Sequence, residues 1–124
     1  LVVDDSDASR NLVLRQLSRL GVTARGAASG REALDLLETS RAFGLVLLDA
    51  DMPELDGPAT TELIRASQRR TIASVPVIAL VVGDDPDWLA RCRAARMDGH
   101  LSKPVDLAEL RRVVDELLVG GARR

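Results

Sequence analysis

The chain has 124 residues, of which 46% are hydrophobic, and its 17 basic and 19 acidic side chains leave a formal net charge of −2. This length suits one compact core, so we expect one domain over residues 1–124, and the nearly balanced charge excludes general attraction to nucleic acid or to an anionic membrane. With one cysteine, no internal disulfide and no apolar stretch long enough to span a membrane, we expect a soluble, cytoplasmic protein.

Short apolar runs alternate along the chain with segments of helical periodicity, a pattern that predicts βα units around a parallel sheet. Five such units fit, so we predict a single doubly wound (βα)5 domain of the α/β class, with a flavodoxin-like fold. The predicted strands cover residues 1–3, 22–27, 45–48, 75–82 and 99–102. The third run does not alternate in hydropathy, as expected for a central strand covered on both faces.

Capping residues and periodicity mark where the predicted helices begin and end. Their starts lie near residues 7, 29, 58, 85 and 106. The first helix should end at Gly21 and the last at Gly120 and Gly121, since glycine favours the left-handed turn after a helix. The third should run to about Gln68, with a polar loop over residues 69–74.

Charged residues follow three of the predicted strands. Asp4 and Asp5 follow the first, Asp49 follows the third, and Lys103 follows the fifth. Because right-handed crossovers bring the carboxyl ends of parallel strands to one edge, these side chains should lie together. Crowded carboxylates repel one another unless a cation is present, and Mg²⁺ prefers such oxygen ligands. With that metal bound, Asp49 can attack a phosphoryl donor while Lys103 neutralises the phosphoryl oxygens.

Each of these signals alone has a simpler interpretation. A pair such as Asp4-Asp5 is often a loop or a helix cap. Asp56-Gly57 is most simply a turn, and a lone Lys-Pro pair is usually an exposed turn. The ordered coincidence of all the signals at strand ends is what favours a site for a phosphoryl group.

With these motifs, the chain resembles the receiver domains of response regulators over nearly its whole length. The matching segments are Leu-Val-Val-Asp-Asp5, Leu-Val-Leu-Leu-Asp-Ala-Asp-Met-Pro-Glu-Leu-Asp-Gly57, Val-Pro-Val-Ile-Ala-Leu80 and Leu-Ser-Lys-Pro-Val105. Together with the segments around Arg91 and Met97, they are most similar to receivers fused to hybrid sensor histidine kinases. The chain begins at Leu1 within a predicted strand, so we expect that it was cut from a longer protein with this strand truncated.

The resemblance implies a role for each matching residue. Asp49 would be the phosphoacceptor, and Lys103 would pair with the phosphoryl group. Asp5 would bind Mg²⁺ directly, Asp4 would act through water, and the backbone carbonyl of Asp51 would complete the protein ligands. The partner would be a histidine kinase or a histidine phosphotransfer domain, and a homodimer could form through the fourth helix, fifth strand and fifth helix. The Lys103-Pro104 peptide bond would be cis.

Two switch positions depart from the family's pattern. Val81 stands where receivers carry a serine or threonine hydroxyl that hydrogen-bonds the phosphoryl group, although the N–H of Val82 could still donate. His100 replaces the switch aromatic of the fifth strand, and the chain has no tyrosine. One interpretation is a pH-sensing imidazole at this position. A partly exposed histidine without a special role is the simpler interpretation.

Three other residues leave alternatives open. Arg96 stands where a helix-ending glycine is usual, so a left-handed turn there would cost roughly 1 kcal/mol unless Gly99 takes it over. The Asp51 side chain either faces outward or lies close enough to repel a phosphate or strengthen metal binding. Trp88 is either an exposed anchor for a partner or a half-buried core residue.

Three functions therefore remain in competition. The first is a phosphorylatable receiver, a regulatory domain rather than an enzyme. The second is a degenerate receiver that works as a phosphorylation-independent interaction module, a hypothesis motivated by Val81 and His100. The third takes Asp49-Ala-Asp51 as the nucleophile and acid of a haloacid-dehalogenase-like phosphatase. The chain is short for that fold, and its first strand carries Asp4-Asp5 instead of the motif.

Overall fold

The computed structural model describes residues 1–40 and 42–119 and has a central sheet of five parallel strands. These are β1 (Val2–Val3), β2 (Gly26–Ala27), β3 (Val46–Asp49), β4 (Val77–Val81) and β5 (Gly99–Ser102). Their order in the sheet is β2-β1-β3-β4-β5. This is the strand order of doubly wound flavodoxin-like folds, which confirms the predicted fold class.

Helices connect the strands and cover the sheet. They are α1 (Asp7–Arg19), α2 (Gly30–Thr39), α3 (Gly57–Arg65), α4 (Arg70–Ala73), α5 (Pro86–Ala94) and α6 (Leu107–Val114), and α6 continues as a π-helical stretch over Asp115–Val119. Serine or aspartate side chains accept hydrogen bonds from first-turn N–H groups of five of these helices; the caps are Ser6, Ser29, Asp56, Asp85 and Asp106. Within the part of the chain described, no helix combines the length and hydropathy that a membrane crossing requires.

The sheet is buried on both faces. Alternate strand residues such as Val3, Leu48 and Val77 pack with residues of α2, α3, α4 and α5. Their neighbours, such as Leu47 and Leu80, pack with residues of α1 and α6 on the opposite face. This double burial explains why the strand sequences are apolar without alternation.

The structure corrects several predicted boundaries. The strand predicted over residues 22–27 is only Gly26–Ala27, because β1 is short and pairs with just these two residues. The strand predicted over residues 75–82 is shorter, at Val77–Val81. The predicted end of the last helix, at Gly120 and Gly121, lies outside the described residues.

The segment after the third helix also differs from its prediction. Helix α3 ends at Arg65 rather than near Gln68, and the N–H of Ser67 donates to the carbonyl of Ile64. The predicted polar loop over residues 69–74 contains the one-turn helix α4. Its Ile72 is buried in the core, and this single anchoring contact is hard to recognise in an otherwise polar sequence.

Helix α5 ends in a left-handed turn that contains no glycine. Arg96 itself takes the left-handed turn, with φ of 68°. The N–H of Met97 donates to the Cys92 carbonyl at 3.1 Å, and the N–H of Arg96 donates to the Arg93 carbonyl at 3.0 Å. This is the hydrogen-bond pattern of a Schellman motif with arginine at its left-handed position. Gly99 does not take over the turn, because it lies in β5.

We expect Arg96→Gly to stabilise the fold by about 0.5–1 kcal/mol, because relief of the Cβ clash outweighs the backbone entropy that glycine adds to the unfolded chain. Thermal unfolding should show a rise of a few degrees in Tm. Gly21 provides the reverse control: it has φ of 78° and open space around it, so Gly21→Ala should lower Tm. An unchanged or lower Tm in Arg96→Gly would show that the turn is unstrained.

Candidate functional site

Acidic side chains converge at the carboxyl ends of neighbouring strands, as the sequence predicted. Asp4 and Asp5 follow β1, and Asp49 ends the adjacent strand β3, where Val3 lies opposite Leu48. Asp4, Asp5 and Asp49 each offer a carboxylate oxygen, and the three oxygens lie within 4.8 Å of one another. Three hard oxygen donors at this spacing match the preference of Mg²⁺.

Lys103 lies between two of these carboxylates. Its Nζ is 2.8 Å from Oδ2 of Asp4 and 3.4 Å from Oδ2 of Asp49. Asp4 is 0% exposed and Asp49 is 5% exposed, so both need a partner to keep a charge. Burial tends to lower the pKa of Lys103, but the hydrogen bond to Asp4 and the charges of Asp49 and Asp4 outweigh it and raise that pKa. The ammonium therefore stays protonated.

Backbone N–H groups hold the two buried carboxylates in place. The N–H of Ser6 donates to Oδ1 of Asp4 at 2.9 Å, and the N–H of Asp51 donates to Oδ1 of Asp49 at 3.2 Å. With Lys103 on its other oxygen, Asp4 has both oxygens engaged, whereas Asp5 is exposed. The Lys103-Pro104 peptide bond is cis, as the resemblance implied.

Gly57 brings the start of α3 against the backbone of Asp49. A Cβ added at Gly57 would lie 2.7 Å from the Asp49 carbonyl oxygen and 2.8 Å from Cα of Ala50, closer than real Cβ atoms approach. Asp56 caps the helix by accepting from the N–H of Ala59 at 2.9 Å. Asp56-Gly57 is therefore a helix start packed on the site, and not the simple turn that the sequence suggested.

Burial raises the pKa of Asp49 to about 7, an effect opposed by Lys103 and increased by Asp4. In the unfolded chain the same carboxyl titrates near 3.8. Between these two values the folded protein holds a proton that the unfolded chain has released. The free energy of unfolding therefore falls as pH rises from about 4 to about 7.

We expect Asp49→Asn to stabilise the metal-free protein by about 2–4 kcal/mol at about pH 8, because a neutral amide has no charge to bury. The gain should be smaller at about pH 5, where most of the folded wild type already carries the proton. Urea unfolding in a chelating buffer at both values checks this. A gain of the same size at both pH values would contradict the raised pKa.

A cavity of about 210 Å³ opens beside Asp49. It is lined by Asp49, Ala50, Asp51, Leu80, Val81, Val82, Asp85 and Trp88. Asp51 also lines the cavity, and this residue is exposed to solvent. Val81 is buried, and Val82 is 79% exposed.

The structure does not bring His100 into this cavity. His100 is exposed on the edge strand β5 and lines a separate cavity with Leu89, Cys92 and Arg93. Trp88 is half-buried, which favours a half-buried core residue over an exposed anchor for a partner. Of the three predicted switch positions, only Val81 and Val82 therefore lie at the rim beside Asp49.

The sequence did not reveal the role of Arg91. Its Nη2 is 2.7 Å from Oδ2 of Asp56, and its guanidinium lies over the Trp88 ring, 4.7 Å from the ring centroid. The spacing of Trp88 and Arg91 on one helix was a visible signal for their contact. Asp56, 35 residues away, could not be paired with Arg91 by spacing.

A family model described as "Response regulator receiver domain" matches residues 1–115. This chain belongs to the receiver family. Among its curated relatives, this receiver is 32% identical over 112 residues to "Hybrid signal transduction histidine kinase A" of Dictyostelium discoideum. The match covers 90% of this chain but only 5% of that protein. Family membership excludes the haloacid-dehalogenase-like phosphatase.

Solved structures of receivers are similar over almost the whole chain. The signal receiver domain of a histidine kinase from Syntrophus aciditrophicus has a TM-score of 0.87 and 28% identity, covering 99% of this chain and 91% of that one. The receiver domain of sensor histidine kinase PA1611 from Pseudomonas aeruginosa has a TM-score of 0.84 and 29% identity, covering 94% and 93%. A magnesium ion is coordinated in the active-site cleft of the PA1611 domain.

Proposed function

We propose that this receiver takes a phosphoryl group from a phosphohistidine protein onto Asp49 in a Mg²⁺-dependent reaction. The observation that carries the proposal is the contact of Lys103 with both Asp4 and Asp49 beside the exposed carboxylate of Asp5. An ammonium and three carboxylates at one edge of the sheet provide a nucleophile, a cation for phosphoryl oxygens and oxygen ligands for a metal.

The donor atoms fit Mg²⁺ and suggest which residues would hold it. Asp5, Asp49 and the backbone carbonyl of Asp51 would bind directly. Asp4 would act through water, since Ser6 and Lys103 already engage both of its oxygens. When bound, Mg²⁺ supplies positive charge that offsets the negative charge of the transferring phosphoryl group.

The chain's own residues supply the nucleophile and its positioning. A carboxylate oxygen of Asp49 attacks phosphorus in line, the P–N bond of the phosphohistidine breaks, and the imidazole nitrogen leaves with the electron pair. The Asp51 N–H fixes the orientation of the carboxylate. The Lys103 ammonium, already 3.4 Å from Asp49, can move to a phosphoryl oxygen.

The response to phosphorylation is expected to be weak, because Val81 offers no hydroxyl to the phosphoryl group. The N–H of the exposed Val82 can still donate on this side of the cavity. A charge-assisted hydrogen bond contributes roughly 1.5–3 kcal/mol, so its absence weakens the hold of the phosphorylated state by about 10- to 150-fold.

We expect Val81→Thr to restore this hydrogen bond and tighten the binding of beryllofluoride, a phosphoryl mimic, by about 10-fold. Titration of metal-loaded protein followed by Trp88 fluorescence measures the change. Val82→Thr is the matched control, because the residue at position 82 lies at the rim of the cavity with 79% of its surface exposed, so the same substitution there should have little effect. Equal affinity in both variants would contradict a role for position 81.

The alternative is a degenerate receiver that binds its partner regardless of phosphorylation. Val81 and the placement of His100 outside the cavity favour it. A partner that binds equally well to phosphorylated and unphosphorylated protein would establish this alternative for the output step, even if Asp49 accepts a phosphoryl group.

The proposed donor is a histidine kinase or a histidine phosphotransfer domain. A cytoplasmic location of the receiver is part of the proposal. A homodimer through α5, β5 and α6, the predicted fourth helix, fifth strand and fifth helix, is part of the same proposal. Sedimentation with and without beryllofluoride tests the dimer.

Transfer of labelled phosphate from a phosphorylated histidine phosphotransfer domain tests the function. We expect label on the wild type in Mg²⁺, its release by hydroxylamine, and no label in a chelator or in Asp49→Asn. Label that persists on Asp49→Asn would place the acceptor elsewhere. An absence of label from several such donors and from acetyl phosphate would overturn the proposal.

A further inference from the structure

A chain of contacts crosses from the start of α3 to α5 next to the cavity beside Asp49. Asp56 caps α3 with Oδ1 and contacts Nη2 of Arg91 with Oδ2, at 2.7 Å. Arg91 in turn lies over the ring of Trp88, one of the residues that line the cavity. We call these three residues the Asp56–Arg91–Trp88 brace.

We infer that the Asp56–Arg91–Trp88 brace holds the indole of Trp88 as a wall of this cavity and thereby limits access of water and small phosphodonors to Asp49. The inference rests on the proposed function, since it concerns the regulation of the same site. Arg91 contacts no reacting atom, so it is a positioning residue that acts through Trp88.

The brace connects the segment that packs on Asp49 with a wall of the cavity. Gly57, next to Asp56, packs closely on the backbone of Asp49. Trp88 lies in the first turn of α5 and lines the cavity together with Asp85. Because Arg91 joins Asp56 to Trp88 without lining the cavity itself, loss of its side chain frees Trp88 without altering a residue that lines the cavity.

The brace is weak enough to open thermally. Arg91 has 53% of its side chain exposed, and an ion pair this accessible to solvent is only modestly favourable. The cation–π contact adds a comparable amount. Together the two contacts favour the closed arrangement by a factor of about 5 to 30, which leaves a minor open population.

Access matters for both the gain and the loss of the phosphoryl group. During phosphorylation by acetyl phosphate, an Asp49 oxygen attacks phosphorus and acetate leaves with the electron pair. During hydrolysis of the aspartyl phosphate, a water oxygen attacks phosphorus and the bond to the Asp49 oxygen breaks. The carboxylate keeps the electron pair, and a proton of the water passes to solvent. A wall that excludes small molecules slows both reactions, and its removal should speed both.

The test compares Arg91→Met with the wild type and with Arg93→Met, a matched loss of an exposed arginine on the same helix. Trp88 is the only tryptophan of the chain, so acrylamide quenching of its fluorescence reports its exposure directly. We expect stronger quenching in Arg91→Met, together with about 5- to 30-fold faster phosphorylation by acetyl phosphate and faster hydrolysis. Arg91→Lys, which keeps the charge but not the planar stacking, should give intermediate values, and Arg93→Met should match the wild type.

Each outcome decides the inference. Unchanged quenching in Arg91→Met would show that Arg91 does not position Trp88, and stronger quenching with unchanged rates would show that Trp88 does not limit access. Either result overturns the inference, while incorporation into the wild type would leave the proposed function intact. A wild type that takes up no phosphoryl group would instead overturn the proposed function itself. Destabilisation alone would not accelerate the chemistry, so a merely structural role of Arg91 is distinguishable.

Discussion

Lys103→Met should lower the free energy of unfolding by about 3–5 kcal/mol at neutral pH without metal, because it leaves the buried carboxylates of Asp4 and Asp49 without their cation. Lys103 Nζ contacts both of them, and Asp4 is fully buried. Urea unfolding in a chelating buffer measures the loss. The loss should shrink at about pH 5, where Asp49 is mostly protonated in the folded state.

Two controls separate this effect from a general loss of charge. Lys103→Arg keeps the cation and should retain most of the stability. Arg112→Met removes an arginine from an exposed pair, whose Nη1 lies 3.5 Å from Oε1 of Glu116, and should cost less than about 1 kcal/mol. If Lys103→Met and Arg112→Met were equally stable, the proposed electrostatic role of Lys103 in the acidic site would be wrong.

Arg65→Met should lower the free energy of unfolding by about 2–4 kcal/mol, because the buried guanidinium of Arg65 donates hydrogen bonds to four acceptors in three other segments of the chain. Its side chain is 8% exposed and donates to the carbonyls of Ala73, Val75 and Arg96 and to the carboxylate of Asp98. Methionine keeps the length of the side chain but leaves these acceptors without their donor. Thermal and urea unfolding check the prediction.

Arg69→Met is the matched control for Arg65→Met. Arg69 is half-exposed, and its guanidinium donates to the carbonyl of Glu38 at 2.8 Å, so its loss should cost less than about 1 kcal/mol. The Asp98 carboxylate also accepts from the N–H of Val77 at 2.8 Å, which connects Arg65 through Asp98 to β4. A loss of unfolding free energy in Arg65→Met no larger than that in Arg69→Met would contradict this role of Arg65.

The convergence of Asp4, Asp5, Asp49 and Lys103 could be predicted because it follows from topology alone. Once the apolar runs are recognised as parallel strands, their carboxyl ends must share one edge of the sheet, whatever the details of packing. The left-handed turn at Arg96 was one of two alternatives that the family resemblance left open, and only the structure decides it against Gly99.

The contacts of Arg65 and Arg91 could not be predicted in the same way. Arg65 bonds groups 31 to 33 residues away on Arg96 and Asp98, and Arg91 pairs with Asp56 at a separation of 35 residues. An arginine in a surface helix has the same local pattern whether it reaches solvent or a distant partner. Helix α4 was missed for a related reason, because burial of Ile72 stabilises it and the local sequence does not.

Under the proposed function, the departures at Val81 and His100 would affect the response to phosphorylation more than the acceptance of the phosphoryl group. The acidic site still holds Asp49, the proposed acceptor, with Lys103 and the carboxylates of Asp4 and Asp5 beside it. Val81 is an apolar wall of the cavity next to that site, and His100 lies on the outer edge of the sheet. The chemistry and the output of this receiver can therefore be tested separately.

Intact-mass spectrometry after treatment with acetyl phosphate and Mg²⁺ tests the central claim most directly. The wild type should gain the mass of one phosphoryl group, peptide mapping should place it on Asp49, and Asp49→Asn should gain none. A wild type of unchanged mass, or a modified Asp49→Asn, would contradict the account.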